Sequence, residues 1–326
     1  MNFAKKILLA LAVIAILTLP FLAVTKAQAI IDWWKLRNYT APAAVSSLAQ
    51  QDTMTPLATH IFYVNHPDIE SNVARFRQDC TVAEQAIVLG CYHSDQDGIY
   101  IYEVTNAQLD GVEQVTAAHE MLHGAYDRLS TKERNYIDGL LENYYKSGLK
   151  DQSVIDEINL YKQTEPNDVV NEMHSVFGTE VANLPAPLES YYRRYFTNRS
   201  VITTFASNYE TEFTSRQSEL NGTSTQLNTL RTQIDNEEDS LNSQLSQINT
   251  DKTTLDSERS SGQTAAYNAG IANYNHEVNV YNNALEVLKN DIAMYNQLVN
   301  SYNSLASELA ALEKSIDTRV VPQAAP

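Results

Sequence analysis

The stretch Val115-Thr-Ala-Ala-His-Glu-Met-Leu-His-Gly-Ala-Tyr-Asp127 decides what the middle of this chain forms. Its two histidines, His119 and His123, are four residues apart, so on a helix they project from one face, one turn apart. Two imidazoles in this arrangement can hold one Zn²⁺ ion, and Glu120 is placed to act as a general base without binding the metal. The neighbouring residues are apolar or small, which predicts a buried helix. An unpaired carboxylate would be costly to bury there, which favours a metal site over two ordinary helix histidines.

The charge balance of the 326-residue chain excludes some classes of function. The chain has 40 acidic residues against 23 lysines and arginines, which gives a formal net charge of −17. Non-specific nucleic-acid binding needs a basic surface, so we expect no nucleic-acid partner. For the same reason, we do not expect the folded part to dock on anionic lipid by charge.

Residues 1–29 have the pattern of a signal peptide or an N-terminal membrane anchor. Two lysines precede an apolar run, Ile7 to Val24, which is near the lower length limit for spanning a bilayer. Ala27-Gln-Ala29 is typical of a signal-peptidase site, whereas Trp33 and Trp34 stand where an interfacial aromatic belt would lie. The balance favours a retained anchor over a secreted protein that is cleaved after Ala29. Both interpretations predict that the remainder of the chain is extracytoplasmic.

The chain has two cysteines, Cys80 and Cys91. An even number of cysteines in an exported chain predicts one disulfide bond, and the short spacing fits a clasp across a loop or hairpin. Two buried free thiols are the alternative interpretation.

Residues 30–203 predict an α+β domain, because strand candidates come first and helix candidates follow. A polar linker is expected from Asn38 to Thr55. The strand candidates are His60–Val64, Ala86–Leu89 and Ile99–Val104. Turn residues at Asp95–Gly98 favour a hairpin between the last two.

Helix start and stop signals follow along this domain. Asp110-Gly-Val-Glu113 and Ser130-Thr-Lys-Glu133 each have the pattern of a capping box, which predicts a helix start at both places. Gly148 is expected to end the second of these helices. Asn167-Asp168 is expected to cap a third helix, which ends at Gly178.

Residues 204–318 have a different composition, with no proline and abundant Asn, Ser, Gln and Leu. Apolar residues recur every seven positions in two ladders, which predicts two long helices with a coiled-coil seam. The ladders are Leu220, Leu227, Ile234, Leu241, Ile248, Leu255 and then Tyr267, Tyr274, Tyr281, Leu288, Tyr295, Tyr302, Leu309, Ile316. Ser260-Ser-Gly262 between them predicts an antiparallel hairpin, with an extended oligomeric coil as the alternative. Residues 319–326 are expected to be a disordered tail.

A second motif, Asn171-Glu-Met-His-Ser175, offers a third zinc ligand. With this motif, His119-Glu-Met-Leu-His123 and Asp127, the chain resembles the gluzincins, and in particular the thermolysin-like pattern. The resemblance implies a small zincin-like metallopeptidase domain in which Glu172 is the third protein ligand of one Zn²⁺ ion.

Glu172 has two competitors for that role. Glu180 lies on the same face if the helix continues past Gly178, and His174 lies on a different face. The chain departs from the family pattern at Val176, where the family has an aspartate. The run from Cys91 to His123 also looks like a group of uncharacterised exported bacterial proteins with the same motif.

In this hypothesis His119, His123 and Glu172 hold zinc, which activates water and polarises the scissile carbonyl group. Glu120 then carries the water proton to the leaving amine. The candidates for the oxyanion donor are His93, Tyr126 and His174. We expect an extended peptide substrate to lie along Ile99–Val104, taken as an edge strand.

The sequence therefore predicts a zinc metallopeptidase of the cell envelope that acts on a peptide or protein. Its coiled coil would recruit an envelope protein, and peptidoglycan peptides are a weaker variant of the substrate. The alternative is an envelope scaffold in which the coiled coil is the working part and the zincin domain is inactive. The intact Glu120 favours the enzyme, whereas Val176 keeps the alternative open.

Overall fold

The computed structural model describes residues 27–81, 87–94 and 98–319, and their fold is mostly helical with one small sheet. The described residues divide into two compact units. The first unit extends to Glu210 and includes the residues from Ser315 onward, and the second is Thr211–Lys314. The unit boundaries lie within the long helices. The domain boundaries after residues 203 and 318 stay a prediction.

The first unit contains ten helices or parts of helices in the described ranges. Residues 27–36 are the described part of α1. The helices that follow are α2 Ala43–Gln51, α3 Pro56–Val64, α4 Val73–Asp79, α5 Val112–Asp127, α6 Thr131–Ser147, α7 Gln152–Thr164, α8 Val169–Thr179, α9 Ala186–Tyr192 and the start of α10, Ser200–Ser260. Among the described residues, no helix combines the length and the apolar character needed to cross a membrane. The apolar run Ile7 to Val24 lies outside the described residues.

The sheet has three short strands, β1 Asp68–Glu70, β2 Gly90–His93 and β3 Gly98–Tyr102. Its order is β1-β3-β2, with β3 parallel to β1 and antiparallel to β2. The predicted pairing of the last two strands is therefore confirmed, although residues 95–97 of the turn lie outside the described residues. The predicted strand Ala86–Leu89 was placed too early, since β2 begins at Gly90.

Two predictions for the start of this domain were wrong. His60–Val64 is not a strand but the second half of α3, in spite of its β-forming residues. Thr55 caps this helix by accepting a hydrogen bond from the Ala58 N–H at 3.3 Å, and Pro56 occupies the first turn, where its missing N–H costs nothing. The expected linker Asn38–Thr55 is likewise interrupted by α2.

Of the two capping boxes predicted further along the chain, the one at Ser130 was confirmed and the one at Asp110 was wrong. Ser130 and Glu133 form the predicted capping box of α6, and Gly148 is the C-cap. The capping box expected at Asp110 was wrong, because Gly111 is the N-cap of α5 with a φ of +106° and no side-chain cap. Glu113 instead accepts a hydrogen bond from the Val104 N–H at 2.8 Å.

The core of the first unit is centred on the packing of α5 against α8. Gly178 does not end α8, which continues to Thr179. Its role is close approach, since a Cβ at this position would lie 2.4 Å from Leu122 Cδ1 and 2.8 Å from Tyr192 Cε1. Leu122 and Tyr192 are both fully buried, so neither side chain has free space to move into.

The disulfide between Cys80 and Cys91 is confirmed, and it joins the end of α4 to β2. The Cα atoms of the two cysteines are 5.8 Å apart. The covalent link holds β2 beside α4 in addition to the hydrogen bonds that β2 makes with β3.

The second unit consists of α10 from Thr211 onward and of α11, Thr264–Ile316, as far as Lys314, which pack together as antiparallel helices. The turn Ser261–Gln263 contains Gly262 in the left-handed conformation, with a φ of +76°. Residues at about equal sequence distances on either side of the turn face each other across the two helices: Leu255 with Gly270, Gln233 with Asp291 and Arg216 with Glu308. Four aliphatic residues of the predicted ladders, Leu241, Ile248, Leu255 and Leu288, are buried, whereas the tyrosines of the second ladder are half-buried.

We expect Gly178→Ala to lower the free energy of unfolding by about 1–3 kcal/mol, because the new methyl group overpacks the α5–α8 interface. Gly139→Ala is the matched control, since Gly139 lies within α6 with no atom within 4 Å of its Cβ position. The control should raise the free energy of unfolding by about 0.5–1 kcal/mol through helix propensity alone. Denaturant unfolding measures both, and equal effects of the two substitutions would contradict the close packing.

Candidate metal centre

The residues of the predicted zinc site come together on α5 and α8. Helix α5 carries His119 and His123 one turn apart, and their ring centroids are 4.8 Å apart. Glu172, in the first turn of α8, faces both imidazoles with its two carboxylate oxygens. The ring of Tyr92 stacks on His123 from the side of β2.

The distances within this group fit a tetrahedral metal better than a simple hydrogen bond. His119 Nε2 lies 3.4 Å from Glu172 Oε2, and His123 Nε2 lies 3.5 Å from Glu172 Oε1. N–H···O hydrogen bonds favour distances of about 2.7–3.2 Å. A tetrahedron with metal–ligand bonds of about 2.0–2.1 Å has edges of about 3.3–3.4 Å. The three ligand atoms lie within 4.8 Å of one another, and the two separations that involve Glu172 are close to the edge of a zinc tetrahedron.

The charges of the group are strongly coupled. Burial lowers the pKa of His119, but the close contact with the Glu172 carboxylate and the negative charges of Glu120, Glu172 and Glu157 outweigh it and raise the pKa to about 9. For Glu172, burial raises the pKa, but the charges of His123 and His119 outweigh burial and lower it. A metal ion that binds here must therefore compete with a proton on His119 at neutral pH.

Glu120 lies beside the triad and is not part of it. Its side chain is only 6% exposed and lines the same cavity as the triad. Burial raises its pKa, which the charges of His123 and His119 offset only in part. The carboxylate is packed against Gly90, where a Cβ would lie 2.8 Å from Glu120 Oε1. Glycine at this position thus keeps space for the carboxylate at the start of β2.

The triad and Glu120 open into a cavity of about 370 Å³. Strand β2 forms one wall, and α5, α7 and α8 form the others. The expectation that Ile99–Val104 is an edge strand was wrong, because β3 lies between β1 and β2. In the described part of the sheet the strand beside the cavity is β2, and it pairs with β3 along one edge.

The competing ligands are engaged elsewhere. Glu180 lines the cavity but forms a carboxyl pair with Glu157, in which burial raises the pKa of both groups, so that one of them keeps a proton. His174 lies within hydrogen-bond distance of the Tyr191 hydroxyl, 2.8 Å from its Nε2, and burial holds its pKa well below the usual value. Asp127, which also belongs to the resembled family pattern, has its carboxylate Oδ1 3.7 Å from Nη2 of Arg134.

The three candidates for the oxyanion donor are separated by the fold. His93 lines the cavity, and its Nε2 lies 2.7 Å from the backbone oxygen of Asp79. Tyr126 donates its hydroxyl to Asp138 at 2.8 Å, and neither Tyr126 nor His174 is among the residues that line the cavity. Among these three candidates, the geometry therefore leaves His93 as the one beside the cavity.

Sequence reasoning missed the contribution of α7 to this site. Glu157, Tyr161 and Glu165 all line the cavity and are spaced four residues apart along or just past the helix. This spacing was a signal that could have been used, because residues four apart share one helix face. Tyr209 at the start of α10 also lines the cavity, and nothing local in its sequence indicates that position.

No protein-family model, curated protein or solved structure matches this chain. A function must therefore be argued from the geometry of the site itself.

We predict that the chain binds one zinc ion and that its affinity rises about tenfold per pH unit from about pH 7 to pH 9, because zinc must displace the proton on His119. The affinity should then level off. Chelator competition across this pH range measures it.

Substitutions separate the ligands from their neighbours in the same assay. His119→Ala and His123→Ala should abolish binding, and Glu172→Ala should weaken it more than Glu180→Ala does. His276→Ala is the matched control, since this histidine is exposed in the second unit and should leave affinity unchanged. Retained zinc in both histidine variants would refute the site.

Proposed function

We propose that this protein is a zinc-dependent metallopeptidase with a divergent gluzincin-type site. The observation that carries the proposal is the position of Glu120, a side chain only 6% exposed that lines the cavity beside a triad of zinc-ligand geometry. A site that only stored zinc would gain nothing from a fourth, largely buried carboxyl group next to its ligands. Burial of the Glu120 carboxylate costs folding free energy, which supports a chemical role for this residue.

The roles of the protein's residues follow from their positions. His119, His123 and Glu172 would hold the metal. Zn²⁺, when bound, supplies Lewis-acid activation of water and of the scissile carbonyl group. Glu120 accepts the proton of the attacking water and delivers it to the leaving amine, and its raised pKa makes it a better base near neutral pH.

The substrate backbone is proposed to lie along β2. An extended peptide can add to an exposed strand through main-chain hydrogen bonds. Strand β2 lines the cavity from Gly90 to His93 and is fixed by the disulfide at Cys91. A peptide on this strand would pass directly over Glu120, because Gly90 contacts that carboxylate.

The charge of the cavity favours substrates with a positive charge. Six carboxyl groups of the described residues line it: Glu120, Glu157, Glu165, Asp168, Glu172 and Glu180. Its described lining contains no lysine or arginine to balance them. Even with a divalent cation in the triad, an acidic wall remains around α7, which should attract an ammonium or guanidinium group.

The export signals lead us to propose an extracytoplasmic location, anchored to the membrane or secreted. The long helices of the second unit would then recruit a partner in the cell envelope. The scaffold alternative, in which the site is inactive, predicts zinc binding without hydrolysis of any peptide, including peptidoglycan peptides.

We predict that Glu120→Gln keeps its zinc but loses about 10²- to 10⁴-fold in kcat, because it removes the base and leaves the ligands in place. Cleavage of casein and of a peptide library, together with metal content, measures both properties. The matched control is Glu142→Gln on the exposed face of α6, which should cleave like the unmodified protein. Equal cleavage by Glu120→Gln would refute the mechanism, and absence of cleavage by the unmodified protein would favour the scaffold.

We also predict that a lysine beside the scissile bond is preferred over norleucine, which has the same stem without the charge. The expected preference is about tenfold in kcat/KM, or about 1.4 kcal/mol. Glu157→Gln and Glu165→Gln should each reduce this preference, whereas Glu142→Gln should not. Equal kcat/KM values for the two peptides would show that the acidic wall does not select the substrate.

A further inference from the structure

Helix α1 has its polarity reversed relative to an ordinary surface helix. Its acidic residue Asp32 is 5% exposed and Lys35 is half-buried, whereas Ile30, Ile31, Trp33 and Trp34 are 55%, 48%, 66% and 60% exposed. An ordinary surface helix buries its apolar face and exposes its charges. Four adjacent large apolar side chains in water form the kind of patch that marks an interaction site.

The buried side of α1 is held by a network of charges. Asp32 accepts two hydrogen bonds from Arg128, at 2.8 and 3.0 Å, and one from Gln28 at 2.9 Å. His60 Nε2 lies 2.9 Å from the same carboxylate. Burial raises the pKa of Asp32, but these partners outweigh it and lower the pKa to about 2, so the carboxylate stays ionised. We call this network the Asp32 clamp.

The clamp connects α1 to the metal centre. Arg128 is the C-cap of α5, the helix that carries His119 and His123. A bidentate arginine–carboxylate pair constrains both distance and orientation. Whatever covers the outer face of α1 is therefore linked through two short contacts to the C-terminal end of the metal-site helix.

We propose that the outer face of α1 is seated in the interfacial layer of a lipid bilayer, and that the Asp32 clamp holds the first unit to this seat. Tryptophan is enriched at this depth, because its ring is apolar and its N–H seeks a polar partner. Arg37 lies 4.6 Å over the ring of Trp34, which places a cation beside it for the headgroup layer. The chain is acidic overall, so apolar contact carries the seating.

The chain outside the described residues favours lipid over another occupant. The 26 residues before the described part of α1 contain the apolar run Ile7 to Val24, which ends three positions before residue 27 in the sequence. A sequence of this composition partitions into a bilayer. Two exposed isoleucines and two exposed tryptophans so soon after such a run are positioned for the membrane boundary.

The test uses a natural probe, since Trp33 and Trp34 are the two tryptophans of the whole chain. The full chain is reconstituted in phosphatidylcholine vesicles, with or without bromine on the upper part of the acyl chains. We expect bromine to quench tryptophan emission about twofold or more. Trp33→Phe and Trp34→Phe each leave one reporter, and both should be quenched.

Absence of quenching in protein that floats with the vesicles would overturn the proposal. Emission that instead shifts with the ratio of protein to lipid would assign the face to a second copy of the chain. If the emission is insensitive to bromine and does not depend on the ratio of protein to lipid, the outer face of α1 is covered by a protein surface. Both outcomes reject the lipid seat.

The clamp is tested separately by amide hydrogen exchange of the vesicle-bound protein. Asp32→Ala should accelerate exchange across residues 27–36 about tenfold, because the helix loses its ionic attachment. Asp127→Ala is the matched control, since it removes a nearby aspartate whose Arg134 partner lies 3.7 Å away and outside α1. Unchanged exchange in Asp32→Ala would show that the seat is not held by the clamp.

Discussion

The close packing of α5 against α8 is the constraint on which the rest of the first unit depends. Gly178 on α8 leaves the space that Leu122 of α5 and Tyr192 of α9 occupy, and the close approach of α5 and α8 brings Glu172 opposite His119 and His123. Ligands carried by two packed helices are held more precisely than ligands on loops. Tyr192 adds to this by donating its hydroxyl to the backbone oxygen of His174 at 2.7 Å.

The cavity wall opposite these helices is held by distant parts of the chain. The disulfide at Cys91 fixes one side of β2. Just before β2, Val88 exchanges two hydrogen bonds with the buried Thr318, which follows α11, at 3.1 and 2.7 Å. Tyr209, where the chain leaves through α10, lines the same cavity. Both ends of the long helical pair therefore take part in building the first unit.

The cavity and helix α1 of the first unit differ in how they place their charged and apolar side chains. The cavity gathers carboxyl groups without a lysine or arginine in its described lining. Their mutual repulsion costs folding free energy, which a cation in the triad or in the substrate would offset. Helix α1 does the opposite, since it buries its one carboxylate in the Asp32 clamp and turns apolar residues outward. Each arrangement is costly in water alone, and each is relieved by a specific partner.

The sequence by itself determined the features that depend on local spacing. The histidines at i and i+4, the motif with Glu172, the capping box at Ser130, the cysteine pair and the seven-residue ladders all lie where the structure has them, because helix periodicity and capping act over a few residues. Tertiary structure alone decided that His60–Val64 is helical, that β3 is central, and that Glu157 and Tyr161 line the cavity. Those outcomes depend on which surfaces meet across long stretches of chain, and local propensity carries no information about that.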